Sequence, residues 1–382
     1  MIYLDHSAST PVRPEVREAM EPYLAEKFAN PSGVHALARG AKRALDDARD
    51  EVAAVFGCEP SEVVFTSGGT ESDNLAVTGA ALHAVAAGAE RAIVCCSATE
   101  HPAVLEPVRF LGGVEVPVHT SGVLDVGALE AVLRVEQSGV VLVSIMLANN
   151  ETGVMQPLAE IAELVADAAP TALVHSDAVQ ALRWVDVSRC APVDLVSATG
   201  HKIGGPKGAG VLIVRGDARR RLSPILRGGP QERELRAGTP NVPAIVGLAT
   251  AARLAAAERE EACVRVSRLA GRLLAGIRSI VPDADLAGDG APRLPSVVNV
   301  GLPGIGSEEM LLVLDQLGVA ASAGSACASG ALEPSPVLLA MGLSGAVART
   351  HVRFSLAPTT AEHEIDGAVQ AVAEAVGRLR AA

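Results

Sequence analysis

Short, wholly apolar runs alternate with longer helix-forming stretches over the first half of this chain, and that alternation narrows the folds open to it. The runs are EVVFT (62–66), AIVCC (92–96), VEVPV (114–118), VVLVSIML (140–147), ALVHSD (172–177), VDLVSAT (193–199) and AGVLIV (209–214). Helical patterns fill about 70–83 and 157–168. Strands apolar on both faces predict a mainly parallel sheet covered by helices on each side, the open α/β class. Ligands of such sheets sit at the carboxyl ends of the strands. From about 242 to 279 the pattern is almost entirely helical. Strands near 296–302 and 351–357, with helices near 306–317 and from 360, then predict a smaller α+β unit. The expected division is a large α/β domain over 12–256, and a small α+β domain made of 1–11 with 257–382.

Charge and composition exclude several classes of function. The net charge of −12 argues against direct binding of nucleic acid or an anionic membrane through bulk electrostatics. Few aromatic residues are available to stack on bases. The N-terminus MIYLDHSAST carries Asp5 and has no apolar core of a signal peptide. The longest uncharged stretch, around 316–332, is built of Ala, Ser and Gly and would not drive membrane insertion. Cysteines 58, 95, 96, 190, 263 and 327 form no CxxC pair, so they read as reduced thiols of a cytoplasmic protein, neither a disulfide framework nor a metal site. Lysine occurs only at 27, 42, 202 and 207. Two of these lie in HKIGGPKG, where an amine can form a Schiff base and a guanidinium cannot.

The chemistry-bearing residues fall where the strands stop. TSGGTESDN (66–74) turns from a strand into a helix, with Thr70 and Asp73 expected as a capping pair, and its free N–H groups suit a phosphate. Alone, it is also an ordinary capped turn. Asp177 ends the strand ALVHSD and Lys202 follows the strand VDLVSAT, about one crossover later, so both can reach one rim of the sheet. A carboxylate for a pyridine nitrogen and a lysine for an aldehyde fit a pyridoxal-phosphate site, although alone the pair is also a sheet-edge salt bridge. His101, in TEH, could stack on a flat ring and move protons. Cys327 lies in SAGSACASG (322–330), residues too small to pack a core, which places a thiol on a surface loop. Arg353, in HVRFSL, offers a planar fork for a substrate carboxylate, or is a surface strand arginine.

Taken together, YLDHSAST, NPSGVH, TSGGTESDN, TEH, NNETG, SDAVQ, TGHKIGGPKG, LRAGTPNV, SAGSACASGALEPS and VRFSL resemble, in order and over essentially the whole chain, the cysteine desulfurases of the NifS/IscS type. The resemblance implies the pyridoxal-phosphate (PLP) transferase fold, aspartate-aminotransferase-like. It implies that Lys202 carries the cofactor, Asp177 meets the pyridine nitrogen, His101 stacks on the ring, and Asn150 and Gln180 bond its phenolic oxygen. Gly69, Thr70, Thr199 and His201 would hold the phosphate, with Thr239 reaching that of the other subunit of a homodimer. Arg353 and Asn150 would grip L-cysteine, and Cys327 would take its sulfur as a persulfide, releasing alanine. An acceptor protein would then receive the sulfur, for iron–sulfur assembly, tRNA thiolation or DNA phosphorothioation. A class V aminotransferase or a selenocysteine lyase is the alternative on the same scaffold. Three positions depart from the family pattern: Thr199 stands for serine, Pro230 interrupts a glycine run, and Gly204 replaces a larger residue.

Overall fold

The computed structural model describes residues 1–136, 139–189, 192–324 and 333–381. In chain order the elements are β1 (Ile2–Tyr3), α1 (Pro14–Leu24), α2 (Ala36–Phe56), β2 (Val63–Thr66), α3 (Gly69–Ala86), β3 (Ile93–Ser97), α4 (Pro102–Phe110), β4 (Val114–Val116), α5 (Val126–Glu136), β5 (Val140–Ser144), α6 (Leu158–Ala168), β6 (Leu173–Asp177), β7 (Leu195–Thr199) and β8 (Gly210–Val214). There follow α7 (Val242–Ile280), β9 (Asp285–Leu286), β10 (Val297–Gly301), α8 (Ser307–Gln316), β11 (Val319–Ala320), α9 (Pro336–Ala340), α10 (Gly345–Ala348), β12 (His351–Ser355) and α11 (Glu362–Ala381).

Seven strands form one sheet in the order β2-β8-β7-β6-β5-β3-β4. The run from β4 through β7 is parallel, while β8 is antiparallel to both β7 and β2. Strands β2, β6, β7 and β8 are buried at every residue, because helices cover both faces, as their unbroken apolar sequences require. Their side chains feed two cores, one on each face. Val63, Val143, Val174 and Val196 join α2 and α6 in the larger core, and Val64, Leu142, Leu173 and Leu195 join α3 and α4 in the other. Residues one apart on a strand thus enter opposite cores, as pleating dictates.

Helix α7, 39 residues long, links this sheet to a separate core. It starts from Asn241, whose side chain accepts from Ala244 N, with Pro243 in its first turn where a missing N–H costs nothing. Its first half packs Ile245, Leu248 and Ala252 on the larger core. Farther along, Val266, Leu269, Leu273 and Ile277 pack against β10, β12 and α11 in a core that also takes Leu4. The chain's N-terminus therefore returns to this second core, where β1 pairs in parallel with β11. Among the described residues no helix is long and apolar enough to cross a membrane.

Candidate active site

The carboxyl ends of β6 and β7 and the amino end of α3 open onto a cleft of about 220 Å³. The structure brings Gly69, Thr70, His101, Asn150, Asp177, Gln180, Thr199, His201, Lys202 and Arg353 to its wall. Thr239 is elsewhere, in a neighbouring groove with Ser67, Gly208 and Arg236. Cys327 lies outside the described residues.

At the floor, Asp177 ends β6 and is buried. Its Oδ1 accepts from Val179 N at 2.8 Å. Burial pushes its carboxyl up, while that N–H and the charge of Lys202 pull it back. A second buried layer lies behind it. His175, on the same face of β6, lies between the hydroxyls of Ser144 and Ser197 at 2.8 and 2.9 Å, and burial pushes it down to about 3. Asp73 Oδ1 stands 3.6 Å from the same ring. Burial, then the nearby Asp177 charge, push the Asp73 carboxyl well up.

This corrects the expected capping pair. Helix α3 begins at Gly69 with Gly68 as its N-cap and no side-chain cap. Thr70 and Asp73 are therefore past the cap position, and Asp73 faces inward to the sheet. Glu71 instead accepts from Ser67 N at 2.9 Å. The first-turn N–H groups consequently stay available to a ligand, which is the fit a phosphate needs. A close approach makes the turn possible. A Cβ on Gly210, the first residue of β8, would lie 2.5 Å from Gly68 Cα, so only glycine lets the turn rest on the sheet.

Lys202 stands in the one-turn helix Gly200–Lys202 that follows β7. Its Nζ donates to the carbonyls of Ser7 and, at 2.9 Å, Ala8. Gln180 Nε2 also donates to Ser7 O, at 2.9 Å. His101 caps α4, with Nδ1 accepting from Ala103 N at 3.1 Å, and burial, helped by Lys202, pushes it down to about 4. The ring is thus neutral at neutral pH. Thr199 Oγ1 lies 3.1 Å from His201 Nδ1, so the threonine keeps a hydroxyl at the cradle. A lysine amine, a buried carboxylate, a neutral imidazole and an uncapped helix start in one cleft are the donor set that PLP requires.

Arg353 is no surface arginine. It is 1% exposed, with Nη1 donating to Asn150 O at 3.0 Å and Nη2 to Asp5 Oδ1 at 2.7 Å. Its Nε is buried with no partner among the described residues. Reading the motifs singly missed Asp5, Ser7 and Ala8, which come from the far N-terminus, gave Asp73 a capping role, and missed Gly210. Only glycine at the start of an apolar strand hinted at the last. Of the departures, Gly204 has φ +86°, and a Cβ there would lie 2.6 Å from Arg13 Cγ. Both facts disfavour a larger residue at this position.

Comparison with known proteins agrees with this geometry. Residues 2–367 match the family described as aminotransferase class V. A cysteine desulfurase of Trichormus azollae is 43% identical over 387 residues, covering 100% of this chain and 94% of the relative. The cysteine desulfurase NifS of Azotobacter vinelandii is 42% identical, covering 99% and 93%. A solved structure titled NifS-like protein superposes with a TM-score of 0.90 at 33% identity, over 99% of this chain and all of the other. The chain belongs to the class V aminotransferase family and, within it, to the cysteine desulfurases of the NifS/IscS type.

Proposed function

We propose that this protein is a PLP-dependent cysteine desulfurase that converts L-cysteine to L-alanine, leaving the sulfur as a persulfide on Cys327 for an acceptor protein. The observation that carries the reading is the meeting of Lys202, Asp177, His101 and Arg353 in one cleft beside the uncapped start of α3. When bound, PLP supplies an aldehyde for the Lys202 amine and a pyridinium ring that draws electrons from the substrate.

The chain's own residues do the rest. Asp177 would hold the ring-nitrogen proton, and its buried, low-dielectric site would strengthen that ion pair. Asn150 and Gln180 would bond the phenolic oxygen, and Gly69, Thr70, Thr199 and His201 would hold the phosphate. Arg353 takes the substrate carboxylate with the guanidinium donors that Asp5 and Asn150 O leave free, which orients Cβ and sulfur toward the cleft mouth. Lys202 Nζ or His101 would move protons at the substrate carbon. The Cys327 thiolate attacks the substrate sulfur, a sulfur–sulfur bond forms as the carbon–sulfur bond breaks, and the carbon ends as alanine.

Thr239 we assign to the phosphate of a partner subunit, which makes the active unit a homodimer. Its place outside this chain's own cleft supports that reading. So do the exposed apolar side chains Leu24, Phe28, Val34 and Leu37 around α1 and α2. We take 12–256 as the cofactor domain and 1–11 with 257–382 as the second, supported by the separate cores that meet along α7. Free thiols at Cys58, Cys95, Cys96 and Cys263 support a reducing cytoplasm.

The test is incubation of purified protein with PLP, L-cysteine and a reductant, with alanine and sulfide measured together. Equal amounts are expected from the wild type. Cys327→Ala should bind PLP and L-cysteine yet form no persulfide, and Lys202→Ala should lose the absorbance of the lysine-bound cofactor. Normal alanine release by Cys327→Ala would overturn the nucleophile assignment, and keto-acid in place of alanine would favour an aminotransferase.

A further inference from the structure

The outer edge of the sheet, at β2, is finished by a strained segment. Glu232, Arg233 and Glu234 are three successive non-glycine residues with φ of 44°, 55° and 69°, a left-handed run unfavourable at each position. The run turns Glu232 inward, where it is buried. Its carboxylate accepts from Arg49 Nη2 and Nη1 at 2.8 and 2.9 Å and from Phe65 N at 2.9 Å. Arg49 Nη1 also donates to Val63 O at 2.6 Å, and Arg233 Nη1 to the same oxygen at 3.2 Å. Backbone groups of β2 that would otherwise seek a further strand are satisfied by side chains. Three residues past Phe65 the chain enters the Gly68–Gly69 turn. The same segment grips that turn from its helix side: Arg236 Nε donates to Glu71 Oε1 at 2.8 Å, and Glu71 Oε2 accepts from Ser67 N.

We infer that Glu232 and Arg236 are positioning residues for the cofactor phosphate: the Glu232–Arg49 and Arg236–Glu71 pairs clamp both sides of the glycine turn, so that its N–H groups stand ready before the phosphate arrives. The inference rests on the cleft being a PLP site. A turn with two adjacent glycines has more backbone freedom than any other, and ordering it on binding would weaken affinity for the phosphate. Strain persists only where surrounding contacts over-determine it, and here those contacts converge on the strand and helix that flank the cradle. Sheet-edge protection alone would need Arg49, Arg233 and Glu232 but not the Arg236–Glu71 link.

The discriminating readout is preference for the phosphate. Full-length protein freed of cofactor is titrated with PLP and with pyridoxal, the same aldehyde without phosphate, following the absorbance of the lysine-bound ring. Arg236→Met, at a partly exposed site, should raise the Kd for PLP about tenfold, the scale of one charge-assisted hydrogen bond. The Kd for pyridoxal should not move. Arg236→Lys should recover part of the loss. Glu232→Gln, which keeps the shape and an acceptor for Phe65 N, should show the same selective loss. Parallel changes in both Kd values, or none, in these variants would overturn the inference while leaving the cofactor reading intact. A wild type that bound the two aldehydes equally would overturn the phosphate site itself, and the inference with it.

Discussion

Replacing Arg353 with methionine separates its ion pair with Asp5 from its proposed grip on the substrate carboxylate. The guanidinium side chain is 2% exposed and that of its partner Asp5 18%, so removing the cation strands a carboxylate with little water around it. Breaking a buried pair from one side typically costs about 3–5 kcal/mol. The residual exposure of Asp5 sets the expectation at the lower end, about 3 kcal/mol. Asp5→Asn in the Arg353→Met background removes the stranded charge. The double variant should therefore be more stable than the sum of the single losses predicts, by about 1.5 kcal/mol or more. Urea unfolding of the cofactor-free protein, at one fixed protein concentration and followed by far-ultraviolet circular dichroism, measures the cycle. Separately, loss of a charged hydrogen bond to the substrate should raise KM for L-cysteine about tenfold to a hundredfold, with a smaller change in kcat. Stability of Arg353→Met within about 0.5 kcal/mol of wild type, or strict additivity, would refute the reading of Asp5 and Arg353 as a coupled buried pair.

Two further predictions concern the cleft. Gly210→Ala places a Cβ against the Gly68 backbone, so it should destabilise by about 1–3 kcal/mol; cofactor should also be lost on dialysis, and retention equal to wild type would show that the turn can retreat. His101, held near 4 against an ordinary value of 6.5, should remain neutral from pH 8 to pH 5, as ring carbon-13 NMR of labelled protein would show by comparison with His101→Gln. The unfolded chain takes up this proton first as pH falls, so the group withdraws stability between about 6.5 and 4; a midpoint at 6 or above would contradict the burial argument.

The local elements were legible from sequence because their signals are local. Seven apolar runs bounded by turn residues specify strands, since a strand apolar on both faces is stable only inside a covered sheet. The long helix that begins near Val242 announced itself by an almost entirely helical pattern over about 242–279. Lys202 and Asp177 could be placed at one rim from strand ends alone. Local reading failed at α3. The capping pattern at Thr70 and Asp73 fits the residues, but the N-cap falls two residues earlier, at Gly68, where Gly210 lets the turn settle onto β8, a contact between positions 142 apart. Likewise nothing around Asp5 or Ser7 marks them as site residues. They reach Arg353 and Lys202 only because β1 crosses to pair with β11 in the second core. Pattern in the chain thus determined which segments become strands and helices and which of their ends carry chemistry. Tertiary structure decided which donors remain free, which charges are buried and which way each pKa moves, because those depend on neighbours that folding brings together from distant parts of the sequence.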